Sequence, residues 1–237
     1  MKKIMKYIPT IILTLLCSCS DYLDIVPDNV TTLDIVFNNR NTAERYLANC
    51  YHFVPDHGSV KRIPGMGAGH ECWFYTTNDS HFDNEVSFYI ARGLQNIDAP
   101  YANYWDGEGG SNLPMFRAIR ECNIFLDYVR DQHKVNDLTD SERKRWIAEV
   151  NVLKAYYHFF LFEHYGPIPI VDKALPVSTD PEGVKVTRMP VDQIVDYMVK
   201  LIDDSYKDLP PVITMEATEM GRLTQPAALA LKAKILL

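Results

Sequence analysis

The residues with the most chemical content gather in one stretch of the chain, 56–113. It carries Trp73, Phe74, Tyr75, Tyr101, Tyr104 and Trp105 beside Asn78, Asp79, Asp83 and Arg92. Flat aromatic faces cover the C–H faces of a pyranose ring, while carboxylates, amides and guanidinium groups bond its hydroxyls. The run "ANYWDGEGG" (102–110) sets Trp105 beside a glycine-rich turn, where a ring can be presented to solvent. Composition therefore marks Trp73, Tyr75, Asn78, Asp79, Arg92, Tyr101, Tyr104 and Trp105 as candidate ligand-binding residues for a sugar. The competing role for the same aromatics is to pin a long loop onto its neighbours.

Other chemistry finds little support. His52, His57, His70, Cys72 and His81 are numerous, but no pair has a recognised metal-ligand spacing with a partner carboxylate. His158 and His164 lie six apart on a helical pattern, about 240° round at the α-helical repeat, and cannot share an ion. "GMGAGH" (65–70) lacks the Lys-Ser/Thr ending of a phosphate loop and follows no strand. No G-x-S-x-G and no paired-carboxylate motif is present, so no enzyme activity, cofactor or metal is expected.

The N-terminus raises a separate question, because "LLCSCSDYLD" (15–24) holds a Cys-x-Cys pair. Lys2, Lys3 and Lys6 precede an apolar run, and no charge interrupts residues 7–20. That is a basic n-region and a short h-region of an export signal, too short to span a bilayer. Reading back from Cys19 gives Leu16 at −3 and Ser18 at −1, the layout of a bacterial lipoprotein cleavage site; reading back from Cys17 puts a bulky Leu16 at −1. Cys19 is the expected lipidated residue, residues 1–18 the signal peptide, and acyl chains the membrane tether. Without the three lysines the formal charge moves from −7 to −10, which argues against nucleic acid as a partner. Cys50, Cys72 and Cys122 remain, too few for a disulfide scaffold, and their redox state stays open.

The elements that must position the candidates are helices. "NTAERYLANCYHFV" has Ala43, Leu47, Cys50 and Val54 at helical spacing, with Asn41 as the expected N-cap. Residues 56–113 hold eight of the eleven glycines and read as a long irregular segment. From Pro114 the pattern turns strongly helical. Met115, Ile119, Cys122, Leu126 and Val129 form one stripe. The next helix opens on a capping-box pair, Thr139 and Glu142, and stops at Gly166-Pro167. Its two apolar rows, Trp146-Val150-Leu153-Tyr157-Phe160 and Ala148-Val152-Ala155-Phe159-Phe162, lie on nearly opposite faces, so it should be sandwiched between layers. A further helix buries Ile194, Met198, Leu201 and Ser205. A last one, capped by Thr224 with Pro226 in its first turn, carries an Ala228-Leu231-Ile235 stripe that needs a neighbour. The expected class is all-α, helix pairs stacked like a solenoid. The run Ile-Leu-Leu at 235–237 is expected to continue into a longer protein, leaving this fold truncated.

The order of these features resembles the N-terminal half of the SusD/RagB lipoproteins. "CSDYLDIVPDNVTT", "CNIFLDYV", "AEVNVLKAYYHFFLFEHYGPIPIV", "RMPVDQIVDYMVKLIDDSYKDLP" and "GRLTQPAALALKAKILL" carry the resemblance across nearly all of 19–237. It implies tetratricopeptide-like helix pairs over 114–237 and a loop segment over 56–113. It also implies a lipid-anchored protein at the cell surface of the outer membrane. Such a protein captures glycans, or peptides in some branches, for a TonB-dependent transporter of the SusC type. A helical-repeat adaptor without small-molecule affinity is the alternative. The resembling motifs are structural, so the binding candidates rest on composition.

Overall fold

A computed structural model describes residues 32–58, 64–69, 86–107, 113–176 and 182–237, with backbone alone at Pro64, Met66 and Gly183. Residues 1–36 and 37–237 form two compact units. The described part of the first, 32–36, contains one helical turn, Leu33–Val36.

In the second unit five longer helices occur among the described residues: α1 (Arg40–His52), α2 (Met115–Arg130), α3 (Asp140–Tyr165), α4 (Val191–Asp203) and α5 (Gln225–Leu236). No strand occurs among the described residues. The fold is all-α, as the periodicity requires. Within 56–113 the described helices are short, Pro64–Gly67 and Val86–Ala91.

α3 is the centre, packed against α1, α2, α4 and α5. Both of its apolar rows find neighbours: Trp146, Val150, Leu153, Tyr157 and Phe160 are buried, and so are Ala148, Val152, Ala155 and Phe159. Its start is the capping box, Thr139 accepting from the Glu142 N–H while the Glu142 carboxylate accepts from Thr139. α2 buries the whole expected stripe from Met115 to Val129. α2 and α3 are joined through residues 131–139 into a helical hairpin, and Arg143 holds that link. Its guanidinium donates to the carbonyls of Val129, Asp131, Lys134 and Val135. One arginine thus satisfies carbonyls orphaned at the end of α2.

Three local expectations are corrected. Asn39, not Asn41, caps α1, because its side chain accepts from the Thr42 N–H at 3.1 Å. On α4 the third buried apolar residue is Ile202; Leu201 is only half-buried, since the core-facing side follows Ile194 and Met198 at four-residue steps. The stripe on α5 is not left without a neighbour. Ala228 and Ile235 are buried, α5 packs on α4 and α3, and Lys232 pairs with Asp203 at 2.6 Å.

Cys50 and Cys122 are free thiols buried between α1 and α2. A hydrogen bond with the Cys122 thiol, together with burial, pushes the Cys50 thiol up. Cys72 and Cys19 lie outside the described residues.

Candidate functional site

The segment 101–107 is tied to the helical hairpin by Tyr104. Its ring is fully buried, edge-on to Phe160 at 5.0 Å and 4.7 Å from His164. The Tyr104 N–H donates to the Tyr165 hydroxyl at 2.8 Å, and the Tyr104 carbonyl accepts from the Met115 N–H at 3.0 Å. Tyr104 therefore serves as an anchor, and its ring is closed off from a ligand. That corrects its expected place on a binding surface: the alternating neighbours of an irregular segment cannot all face water.

Trp105 is presented by that anchor and stays half-buried. Its N–H donates to the Asn103 side chain, and its ring meets Phe116 at 4.6 Å and Tyr165 at 5.5 Å, both edge-on. The Arg188 guanidinium lies 5.4 Å from the ring centre. On the other side of the anchor pair Gly107 closes the turn at φ 83°, where a Cβ would stand 2.8 Å from the Pro114 ring. Only glycine fits there. Gly107→Ala is expected to lower stability by about 1–3 kcal/mol, read as a denaturant midpoint, and to raise acrylamide quenching of Trp105. Gly93→Ala, also at positive φ but in open space, is the milder control. Equal losses for the two would contradict the close approach.

The other candidates are placed as follows. Tyr101 is half-buried and stacks on Tyr89 at 4.1 Å and 17°, while the Gln95 side chain accepts from its N–H. Arg92 is exposed just past the Val86–Ala91 helix. Trp73, Tyr75, Asn78 and Asp79 lie outside the described residues, as do His70, Cys72 and His81. Among the described residues, no group of three or more His, Cys, Asp or Glu could hold a metal ion. His158 is buried, with Nδ1 2.7 Å from the Lys154 carbonyl; His164 makes the same contact with Phe160.

Trp105 lines a cavity of about 220 Å³ that sequence reasoning did not anticipate. Phe116 and Arg120 of α2 form one wall, and the connector after α3 brings Val171, Lys173 and Leu175 over the other. The connector is docked by Arg120, which donates to the Leu175 carbonyl, and by Asn123, which donates to the Val171 carbonyl at 3.0 Å. Arg120 and Lys173 are 53 positions apart in sequence and share no motif, so nothing in the chain alone pairs them.

Two larger cavities, about 390 and 440 Å³, flank Tyr51. Most of their polar side chains are already engaged. Tyr51 donates to Glu149, Tyr156 faces His57, Glu44 accepts from Arg40, and Arg222 is bonded to Glu149 and Glu219. The Trp105 cavity combines an aromatic face with cationic groups that keep donors to spare. It is the better built of the three for a polar ring.

These features define an all-α fold with an aromatic-walled cavity, and comparison with known proteins gives it a family. The sequence model of the SusD-like_3 family, described as "Starch-binding associating with outer membrane", matches residues 21–237, and the chain belongs to that family. No curated protein matches it. Among solved structures, BT4246 is 26% identical at a TM-score of 0.65, over 84% of this chain and 31% of that one. A laminarin binding SusD-like protein is 18% identical at a TM-score of 0.63, over 84% and 40%. Surface glycan-binding protein A from Bacteroides thetaiotaomicron, in complex with laminarihexaose, is 18% identical at 0.60, over 84% and 39%. The chain spans less than half the length of these proteins, and at 18% identity the likeness is one of fold.

Proposed function

We propose that this protein is a surface lipoprotein of the outer membrane that captures glycans and delivers them to a TonB-dependent transporter of the SusC type. The observation that carries this reading is the family match over 21–237, a family described as starch-binding and associating with the outer membrane. Two structural neighbours support it by their ligands, laminarin and laminarihexaose. Trp105, half-buried on a cavity wall, favours ligand capture over a purely adaptor role. The proposed contacts are Trp105 with Tyr101 and Arg92, joined by Trp73, Tyr75, Asn78 and Asp79. Binding, with release to a channel, needs no bond-making residue. The anchor is Cys19, from Leu16 at −3 and Ser18 at −1; among the described residues no helix is long and apolar enough to cross a membrane.

Feeding cells an alkyne analogue of palmitate and isolating the tagged chain from outer membranes tests the arrangement. Label should be lost in Cys19→Ala and kept in Cys17→Ala, and a TonB-dependent transporter should co-purify with the labelled protein. Label surviving in Cys19→Ala, or a chain that fractionates away from the outer membrane, contradicts it.

A further inference from the structure

The chain is acidic, with a formal charge of −7, and many of its cations are neutralised by carboxylates. Arg40 pairs with Glu44 and Glu142, Arg145 and Arg222 with Glu149 and Glu219, Lys154 with Asp172, and Lys232 with Asp203. The Trp105 cavity breaks this pattern. Arg120 and Lys173 line it, and no carboxylate does so among the described residues. Arg120 spends one N–H on the Leu175 carbonyl, and Arg188 spends its hydrogen bonds on the carbonyls of Tyr165 and Pro167. Neither they nor Lys173 forms an ion pair among the described residues. Asp172, next to Lys173 in the chain, is held away by Lys154 at 2.8 Å and by the Tyr197 hydroxyl at 2.9 Å.

Two cations, Arg120 and Lys173, thus line one aromatic cavity with no carboxylate among its described lining residues, and Arg188 adds a third positive charge beside the Trp105 ring. An anion in the cavity would neutralise them. The walls say what kind of anion. Trp105 and Phe116 offer apolar faces, and Val171 and Leu175 complete a lining too apolar for a free, fully hydrated inorganic ion. Arginine binds carboxylate and sulfate through a planar pair of donors, and lysine acts as a point charge. About 220 Å³ is room for one sugar ring, not for a chain.

We infer that this cavity takes an acidic sugar residue of a glycan, its pyranose face on Trp105 and its carboxylate or sulfate ester between Arg120 and Lys173. The inference rests on the glycan-capture reading and narrows its ligand class.

The test is titration calorimetry on the full chain in detergent with three probes: tetragalacturonate for the carboxylate, a κ-carrageenan tetrasaccharide for the sulfate ester, and neutral laminarihexaose. At least one acidic probe should bind ten-fold or more tighter than laminarihexaose, and weaken as salt rises. Whichever of the two binds identifies the acidic group. Lys173→Gln, at an exposed position, should cost that probe about ten-fold, and the Arg120→Gln/Lys173→Gln pair should abolish the preference for it. Melting curves confirm that the variants fold, and Lys173→Gln alone decides if the pair does not. Laminarihexaose binding as tightly as both acidic probes overturns the inference and leaves glycan capture standing, as does acidic binding unmoved by Lys173→Gln. If none of the three binds, the inference fails, and glycan capture stands or falls separately on binding to laminarin, starch, xyloglucan or pectin.

Discussion

Replacing Glu149 by alanine is expected to lower the melting temperature by about 6–20 °C, from a loss of about 3–5 kcal/mol in a chain of this size. Glu149 is on α3 and wholly buried. Its carboxylate takes Arg145 at 2.9 Å, Arg222 at 2.8 Å and the Tyr51 hydroxyl at 2.8 Å. Glu219 closes the cluster by accepting from both arginines. The Tyr51 hydroxyl also accepts from the Leu223 N–H, so the cluster ties α1, α3 and residues 219–223 together ahead of α5. Removing the central carboxylate leaves two guanidinium groups sharing Glu219 in a poorly hydrated site. The Nη2 of Arg145 already finds no acceptor among the described residues. Glu149→Gln should fall between wild type and Glu149→Ala, since it keeps the acceptor and loses the charge. The comparison is a thermal melt followed by circular dichroism at pH 7. A Glu149→Ala protein melting within 2 °C of wild type would show that the cluster contributes no more than an exposed pair.

The second large effect is one of pH. His158 is fully buried on α3, and burial lowers its pKa from 6.5 to about 4. Nδ1 donates to the Lys154 carbonyl, because Nε2 accepts from the Val171 N–H at 3.4 Å. The neighbouring charges are Lys154, which opposes a second proton, and Asp172, which favours one; the Tyr197 ring lies 5.2 Å away. Between pH 6.5 and about 4 the unfolded chain binds a proton here that the folded chain refuses. Stability is therefore fully present above about pH 6.5 and is lost as pH falls towards 4, by on the order of 3 kcal/mol. Asp172, held below its usual value although its own burial raises it, adds to the loss only at lower pH. His57, lowered mainly by burial, acts in the same direction. His158→Gln keeps one donor and one acceptor without titrating, so its melting temperature should vary less across this window than that of wild type. Parallel pH profiles for the two proteins would rule out His158 as the titrating group.

The fold was legible because it rests on periodicity, and the site was not because it rests on convergence. The stripe on α2, the two rows on α3 and the capping box at Thr139 are patterns within single helices, and all of them are present. Errors came where two readings differ by one or two positions: Asn39 against Asn41 as a cap, and Ile202 against Leu201 on α4. Composition pointed to residues 56–113 but could not separate Tyr104, which faces inward, from Trp105, which lines a cavity. Arg120 and Lys173 were invisible as a pair. One lies on a helix face and the other in a proline-punctuated connector, and only the docking of that connector on α2 brings them to one cavity.

Glycan capture is tested most directly by native electrophoresis of the full chain through gels containing laminarin, starch, xyloglucan or pectin. At least one polysaccharide should retard the wild-type protein relative to a non-binding standard, and Trp105→Ala should migrate close to that standard in the same gel. Unretarded migration in every gel, or equal retardation of wild type and Trp105→Ala, would contradict the site proposed here.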